Sequence, residues 1–361
     1  MADAEQLLHL KLAFLAGEPP ACVLALARKA GGGSITPHVQ NFLLENCTNT
    51  NVDGRQSSTY ATTIFKRIIS EVELSSDVVI DGLYEEFAQR MLSKAKDSLL
   101  NRTDHIYKEI SFLSSTHDDV SSRLISAVAR LSCSSNMLEG DTGCSLWPSS
   151  LFLSEFILSY PKIFSTKCCF ELGSGVGLVG ICLNYVGASK VILTDGDTST
   201  LNNMKENMEL NNLCIEQEDS KVLKESKNKV ECKYLSWEEV AESDLSGYQP
   251  DIILGADIIY DPVCVPHLVR VLSMLLKRDG RGGETNGKSG DEFETESPVA
   301  YIATVVRNIE TFNCFTKAAA DAKLSAANIS SSAAPSNFLP YMLSYDRSSV
   351  QLLKITTLSY N

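Results

Sequence analysis

Residues 168–180 read CCFELGSGVGLVG. A short apolar run enters a turn carrying Gly173, Gly175 and Gly177, and a second apolar run with Gly180 leads on to Gly187. This order of strand, glycine turn and helix constrains the fold more than any other stretch. Glycine allows left-handed backbone angles and lets a ligand come close where a Cβ would stand. Open α/β sheets bind their ligands at such turns, beyond the carboxyl ends of the strands. Asp195 ends the next expected strand, 20 residues after Gly175. A carboxylate at that place can accept both hydroxyls of an adenosine ribose.

The rest of the second half extends the pattern. KCCFEL, KVILTD, KVECKYLSW, PDIILGADIIY, PVAYIATVV and SVQLLKITTL read as strands. GLVGICLNYVG, TSTLNNMKENMELNN (opened by Thr or Ser caps), VPHLVRVLSMLLKR and IETFNCFTKAAADAKLSA read as helices. Alternation of this kind predicts a doubly wound, mainly parallel sheet. Residues 1–100 instead read as helices, with Leu7, Leu8, Leu10, Leu12, Phe14 and Leu15 crowding the first, and TTIFKRIISEVEL and DGLYEEFAQRMLSKAKDSLL at three-and-four spacing. GGGSITP and NCTNTNVDGRQSS are loop-like. The expected organisation is a helical domain over 1–100, then a connecting segment and an α/β domain over 101–361. Residues 279–297, DGRGGETNGKSGDEFETES, are expected to be a disordered insertion. Within it Gly282-x-x-x-x-Gly287-Lys288-Ser289 matches the phosphate-loop pattern, but no strand precedes it and an acidic run follows. A phosphate cradle needs the strand and a helix N-terminus, so the match is a decoy.

Composition narrows the function. The net charge of −13 argues against non-specific binding to nucleic acid or anionic membrane. The 11 cysteines form no CxxC or Cys/His cluster, which predicts reduced thiols and no metal site. No apolar run reaches the length of a membrane span, and Asp3 and Glu5 disfavour a signal or transit peptide. The Asn46, Asn101 and Asn328 glycosylation triplets then carry no meaning. The expectation is a cytoplasmic protein with no direct nucleic-acid or membrane partner.

Two cofactors share the ribose that Asp195 could hold. Gly175-x-Gly177-x-x-Gly180 fits the dinucleotide fingerprint of NAD enzymes, whereas Glu171-x-Gly173-x-Gly175-x-Gly177 fits the first motif of S-adenosylmethionine (SAM) enzymes. Three features favour SAM. Glu171 stands two residues before Gly173, where an acid suits the methionine amine. No basic residue lies between Phe170 and Ser189 to help hold a pyrophosphate. No second nucleotide-binding half follows. The later glycines then serve to pack helix against sheet.

Further motifs agree. TGCSLWP at 142–148, ELGSGVGLVG at 171–180, LTDGD at 193–197, LSW at 235–237 and LGADIIYDP at 254–262 occur in the order of the family-16 seven-β-strand methyltransferases, the protein-lysine methyltransferases with a DxxY motif. The chain resembles that family over roughly residues 125–361. STYATTIFKRIISEVE, LYEEFAQRML and VVRNIETF at 305–312 resemble its FAM86 group, the elongation factor 2 lysine methyltransferases. The resemblance implies a class I, Rossmann-like seven-strand SAM-dependent methyltransferase sheet with an N-terminal helical domain.

It also implies roles. Trp147 would cover the methionine end of SAM, beside Glu171, and Gly173, Ser174 and Gly175 would line it. Asp195 would bind the ribose, Trp237 would lie by the adenine, and Ala256 would contact the sulfonium side through its backbone. Asp257 and Tyr260 would form the catalytic pair, with Asp257 at a strand's carboxyl end attracting the lysine ammonium and Tyr260 narrowing the channel. Asp251 reads as a solvated turn residue, and Asp261 ranks below Asp257. A free lysine titrates at about 10.4, so the amine must lose its proton before transfer; an apolar channel favours that loss. The implied activity is lysine methylation of translation elongation factor 2 by a monomer. Methylation of another protein, or a catalytically silent SAM-binding module, are the alternatives.

Overall fold

The computed structural model describes residues 4–47, 58–75, 77–97, 105–114, 124–134, 142–215, 229–277 and 297–358. The insertion expected at 279–297, with its phosphate-loop match, lies outside the described residues but for Ser297. The chain divides into two units. One comprises Met1–Ser145 and Asn337–Asp346, the other Leu146–Ser336 and Arg347–Asn361.

The first unit contains more than the helical stretch expected over 1–100. Its helices are α1 (Ala4–Leu15), α2 (Pro20–Ala30), α3 (Pro37–Cys47), α4 (Ser58–Leu74) and α5 (Asp81–Asp97). In α4, Ala61, Ile64, Phe65, Ile68 and Val72 are all buried, the three-and-four spacing of a packed helix face. Proline opens α2, where its missing N–H costs no helix bond, and Gly31 closes it. The buried Gln40 amide of α3 donates to the carbonyls of Ile35 and Val78 and accepts from the Ile80 N–H. It thereby ties α3 to the turn that starts α5.

An antiparallel hairpin of β1 (His105–Ser114) and β2 (Leu124–Ser134) completes the unit. This pair was not expected from sequence. The register shifts between Phe112 and Leu113, and both side chains are buried, which breaks the period-two signal of a strand. Tyr341, from the 337–346 segment, is fully buried. Its hydroxyl accepts from the Ser111 N–H and donates to the Ser111 carbonyl, both at 2.9 Å.

The second unit is a single sheet with helices packed on it. After α6 (Pro148–Ser159) and the short α7 (Pro161–Phe164) come β3 (Cys168–Leu172), α8 (Leu178–Tyr185), β4 (Lys190–Asp195), α9 (Thr198–Leu210), the two-residue β5 (Cys214–Ile215), β6 (Lys229–Tyr234) and α10 (Glu242–Leu245). Then follow β7 (Ile252–Ala256), α11 (Val265–Leu276), β8 (Val299–Val305), α12 (Ile309–Asp321), β9 (Leu324–Asn328) and β10 (Val350–Thr357). The strand order is β5-β6-β4-β3-β7-β8-β10-β9. All pairings are parallel except those of β10, which runs antiparallel to β8 and β9. Apart from β5 at the edge, this is the seven-strand class I methyltransferase sheet that the resemblance implied.

Alternation along β3 divides its side chains between two faces. Phe170 and Leu172 join the core with Leu268, Leu272 and Leu275 of α11 and Phe315 of α12. Glu171 points the other way, to the face where α6 and α8 pack together, close enough to influence Cys182 of α8.

Local details differ from expectation in four places. α9 is capped by Asp197, whose carboxylate accepts from the Thr200 N–H at 2.7 Å, and not by Thr or Ser. The last helix expected over 309–326 ends at Asp321, because Lys323 takes a left-handed φ of 60° and the chain continues as β9. Asp251 is no solvated turn residue: its Oδ2 accepts from the Cys168 N–H at 2.8 Å and ties β7 to the start of β3. The strand run PDIILGADIIY stops at Ala256, because Asp257 turns with φ 57°.

Tyr341→Phe should leave the Ser111 N–H and carbonyl buried without their partner. Chemical denaturation should show the first unit destabilised by about 1–3 kcal/mol; an unchanged midpoint would show that the hydroxyl contributes nothing.

Candidate active site

The parallel register delivers five turns to one edge of the sheet. Leu172 pairs with Thr194 on one side and Gly255 on the other, so the loops after β3, β4 and β7 emerge side by side. β3 is the strand from which the order departs in both directions, and such a switch point opens a crevice. The turns after β6 and β8 flank it.

The loop after β3 carries Gly173, Gly175 and Gly177 at φ of 63°, 52° and 81°. A side chain is strained at each of these angles. A Cβ on Gly173 would also stand 2.9 Å from Ile258 and 3.4 Å from the Trp237 ring. The loop at Gly173 therefore packs so closely on Ile258 and the indole that only glycine fits. Asp195 holds it in place: one carboxylate oxygen accepts from the Gly175 N–H and the other from the Asp197 N–H, both at 3.1 Å. Burial pushes its carboxyl up, while these backbone donors pull it down. Each oxygen keeps a second lone pair, so the group that fixes the loop can still accept from hydroxyls. Ser174 is largely used internally: its Oγ accepts from the Thr194 N–H at 3.1 Å and its N–H donates to the Thr194 carbonyl at 2.9 Å.

Glu171 is the most unusual group. It is buried to 1% exposure, and among the described residues its Oε2 has no hydrogen-bond partner. Burial pushes its carboxyl up to about 8, with Asp195 adding to the rise and the Ser174 hydroxyl opposing it. A carboxyl desolvated beside a bare glycine loop is matched by a ligand that brings a cationic amine.

Trp237 lies in the turn after β6, half-buried. Arg270 of α11 fixes that turn: Nη2 donates to the Trp237 carbonyl and Nη1 to the Val240 carbonyl, each at 2.8 Å. Trp147 sits at the start of α6, before Pro148, and its carbonyl accepts from the Ser150 N–H and Oγ.

The turn after β7 carries the expected catalytic pair. Ala256 ends β7 and pairs with Ala303 of β8, and the Asp257 N–H donates to the Ala303 carbonyl at 2.9 Å. The Asp257 side chain is only 7% exposed. Its Oδ1 accepts from the Val305 N–H at 3.1 Å and from Nη1 of Arg307 at 3.2 Å, and its Oδ2 accepts from Nη2 of Arg307 at 2.9 Å. The Arg307 guanidinium also lies over the Trp147 ring, 5.1 Å from its centroid. Ile258 is buried beneath Gly173 and Gly255, and so joins the Asp257 turn to the glycine loop. Tyr260 is 61% exposed, at the rim. Asp261 shapes the next turn, accepting from the Val263 N–H.

Arg307, Arg270 and Ile258 were not singled out from sequence. Arg307 was within reach of the rule that picked Asp257, since it follows the apolar strand PVAYIATVV at its carboxyl end. Arg270 lies mid-helix, and nothing local marks it as a clamp on a distant turn.

The residues present fit S-adenosylmethionine: a glycine loop beside an indole, a buried acid with one oxygen left for an amine, and a second acid with spare acceptors for ribose hydroxyls. The comparisons agree. Residues 126–281 match a family described as lysine methyltransferase. An uncharacterized protein of Dictyostelium discoideum is 37% identical over 228 residues, covering 59% of this chain and 58% of its own length. The human protein-lysine N-methyltransferase EEF2KMT is 26% identical over 258 residues, covering 71% of this chain and 68% of its own. The protein-lysine N-methyltransferase EFM3 of Chaetomium thermophilum is 27% identical over 227 residues, covering 60% of this chain and 64% of its own. The chain thus spans about three fifths to two thirds of these relatives.

Glu171 generates a pH test that needs no ligand. Its folded pKa of about 8 lies above the ordinary value of 4.5. Between those values the folded chain holds a proton that the unfolded chain has released, so stability is full below the lower value and falls as pH rises through the upper one. Glu171→Gln should flatten that fall, with the variant gaining on the wild type from about pH 5 to pH 8 in thermal unfolding. Parallel curves would show that Glu171 is ionised in the folded chain.

Proposed function

Because residues 126–281 match a lysine methyltransferase family, we propose that the chain is a SAM-dependent protein-lysine N-methyltransferase acting on translation elongation factor 2. One observation carries the reading: a single sheet edge brings together the bare glycine loop, the unpaired Glu171, Asp195 and the Asp257–Tyr260 turn. The substrate is supported by the FAM86-like stretches and by relatives named EEF2KMT.

Bound S-adenosylmethionine supplies a methyl group already activated on a sulfonium. The chain's own task is placement, which can account for much of a rate enhancement. Gly173 and Gly175 present backbone with no side chain in the way. Glu171 receives the amine of the cofactor, and Asp195 the ribose hydroxyls. Trp237 offers an indole face to the base, held by Arg270. Trp147 covers the methionine end. The Ala256 carbonyl and Asp257 frame the entry of the lysine, and Tyr260 narrows its rim. Asp257 orients the amine through an accepted hydrogen bond, and the proton leaves toward water. The acidic chain suits a basic, ribosome-associated substrate in the cytoplasm.

A second reading, a SAM-binding module without catalysis, is favoured by one observation: both Asp257 oxygens already serve Arg307. Labelling separates the two. Wild-type chain with radiolabelled SAM and purified elongation factor 2 should place label on a lysine of the factor. SAM binding without label would support the module. Asp257→Asn should lower the rate by about 100-fold or more, on the scale of an orienting hydrogen bond lost in the transition state, while calorimetry shows SAM still bound.

A further inference from the structure

Arg307 has no part in the roles above, yet it holds the group on which they turn. The Asp257 carboxylate is 7% exposed, and three donors occupy it: the Val305 N–H, Nη1 and Nη2 of Arg307. A carboxylate so engaged has no free charge to offer an incoming ammonium. The Arg307 side chain is 47% exposed, two residues past the end of β8. In the same pose its guanidinium also lies over the Trp147 ring, 5.1 Å from the centroid, a contact to a second group.

We propose that Arg307 is a gate and charge filter on the acceptor site: it occupies Asp257 in the resting chain, and a substrate ammonium must displace it. The proposal rests on the methyltransferase reading and adds how that site selects its substrate. Exchange of guanidinium for ammonium conserves charge, so the nearly buried carboxylate keeps a counter-ion while the substrate enters, until the amine gives up its proton. A neutral side chain, such as an amide, would expel Arg307 and leave that carboxylate unpaired, which is costly in a desolvated place. The site therefore admits a lysine and turns away neutral nucleophiles before chemistry begins. The Val305 N–H keeps its bond to Oδ1 during the exchange, so the carboxylate stays oriented when the cation changes.

The test measures binding of purified elongation factor 2 to the full chain saturated with S-adenosylhomocysteine, by interferometry, so that inactive variants are still read. Arg307→Ala and Arg307→Gln should each bind the factor about two- to fivefold more tightly, the scale of a half-exposed ion pair. The gain should vanish in the Asp257→Asn background, because there is no carboxylate to release. Thermal unfolding checks that each variant is folded. Equal or weaker binding by both Arg307 variants, or the same gain with Asp257→Asn, overturns the gate. Wild-type chain that binds SAM but transfers no label overturns the underlying reading and the gate together. A wild type that labels the factor, without the Asp257-dependent gain, overturns the gate alone.

Discussion

The carboxylate of Asp195 is the tie on which the site depends. Three residues of the loop after β3 stand in left-handed conformations, and such a loop has little intrinsic reason to keep one shape. Asp195 fixes it through the Gly175 N–H and fixes the following turn through the Asp197 N–H. Asp197 in turn caps α9. One side chain thus sets the glycine floor, the end of β4 and the start of the next helix. Parallel pairing then brings the Asp257 turn alongside, with Ile258 wedged beneath Gly173. The geometry of the edge is inherited from the sheet, and its chemistry from what the loops carry.

Two acids at this edge are nearly removed from water and are handled in opposite ways. Among the described residues Glu171 has no counter-ion and one unpaired oxygen, so burial pushes its carboxyl up to about 8. Asp257 has a bidentate cation and a backbone donor. A neutral carboxyl waiting for an amine stores an unmet demand that a cationic ligand meets on binding. A carboxylate already paired stores none, and in the proposed gate it acts by exchange. The first arrangement suits a cofactor held through a catalytic cycle, the second a substrate that must arrive and leave.

Much of this was legible in sequence where a residue's neighbours along the chain determine its place. The strands at 168–172, 190–195, 252–256 and 299–305 were readable because each is a short apolar run closed by a turn or a polar residue. Asp195 and Asp257 were readable because each follows such a run at its carboxyl end. The hairpin of β1 and β2 was hidden by its register shift, and β9 by a composition, LSAAN, that continues the preceding helix. The Asp197 cap was obscured by the Thr and Ser beside it. Arg307 and Arg270 act across 50 and 33 residues of sequence, on Asp257 and on the Trp237 carbonyl. No local pattern encodes a partner at that distance; the strand order does.

Packing accounts for the one glycine that only the dinucleotide spacing adds. Gly180 belongs only to the dinucleotide spacing, and a Cβ there would stand 2.7 Å from two carbons of Leu193. A Cβ on Gly177 would meet Met208 at 2.5 Å and Met204 at 3.2 Å. Both positions are crowded by the chain's own side chains, so their glycines serve to seat α8 on β4 and beside α9. Gly173 faces the Trp237 ring and the Asp257 turn, and Gly175 is the one tied to Asp195. Gly173, which only the Glu171 motif includes, is itself packed so that a Cβ would stand 2.9 Å from Ile258, between that ring and the Asp257 turn. The acid that opens that motif stands buried behind the loop with an oxygen still to be paired. A pyrophosphate brings no cation to Glu171, whereas a cofactor with an amine and no phosphate brings the charge this acid lacks.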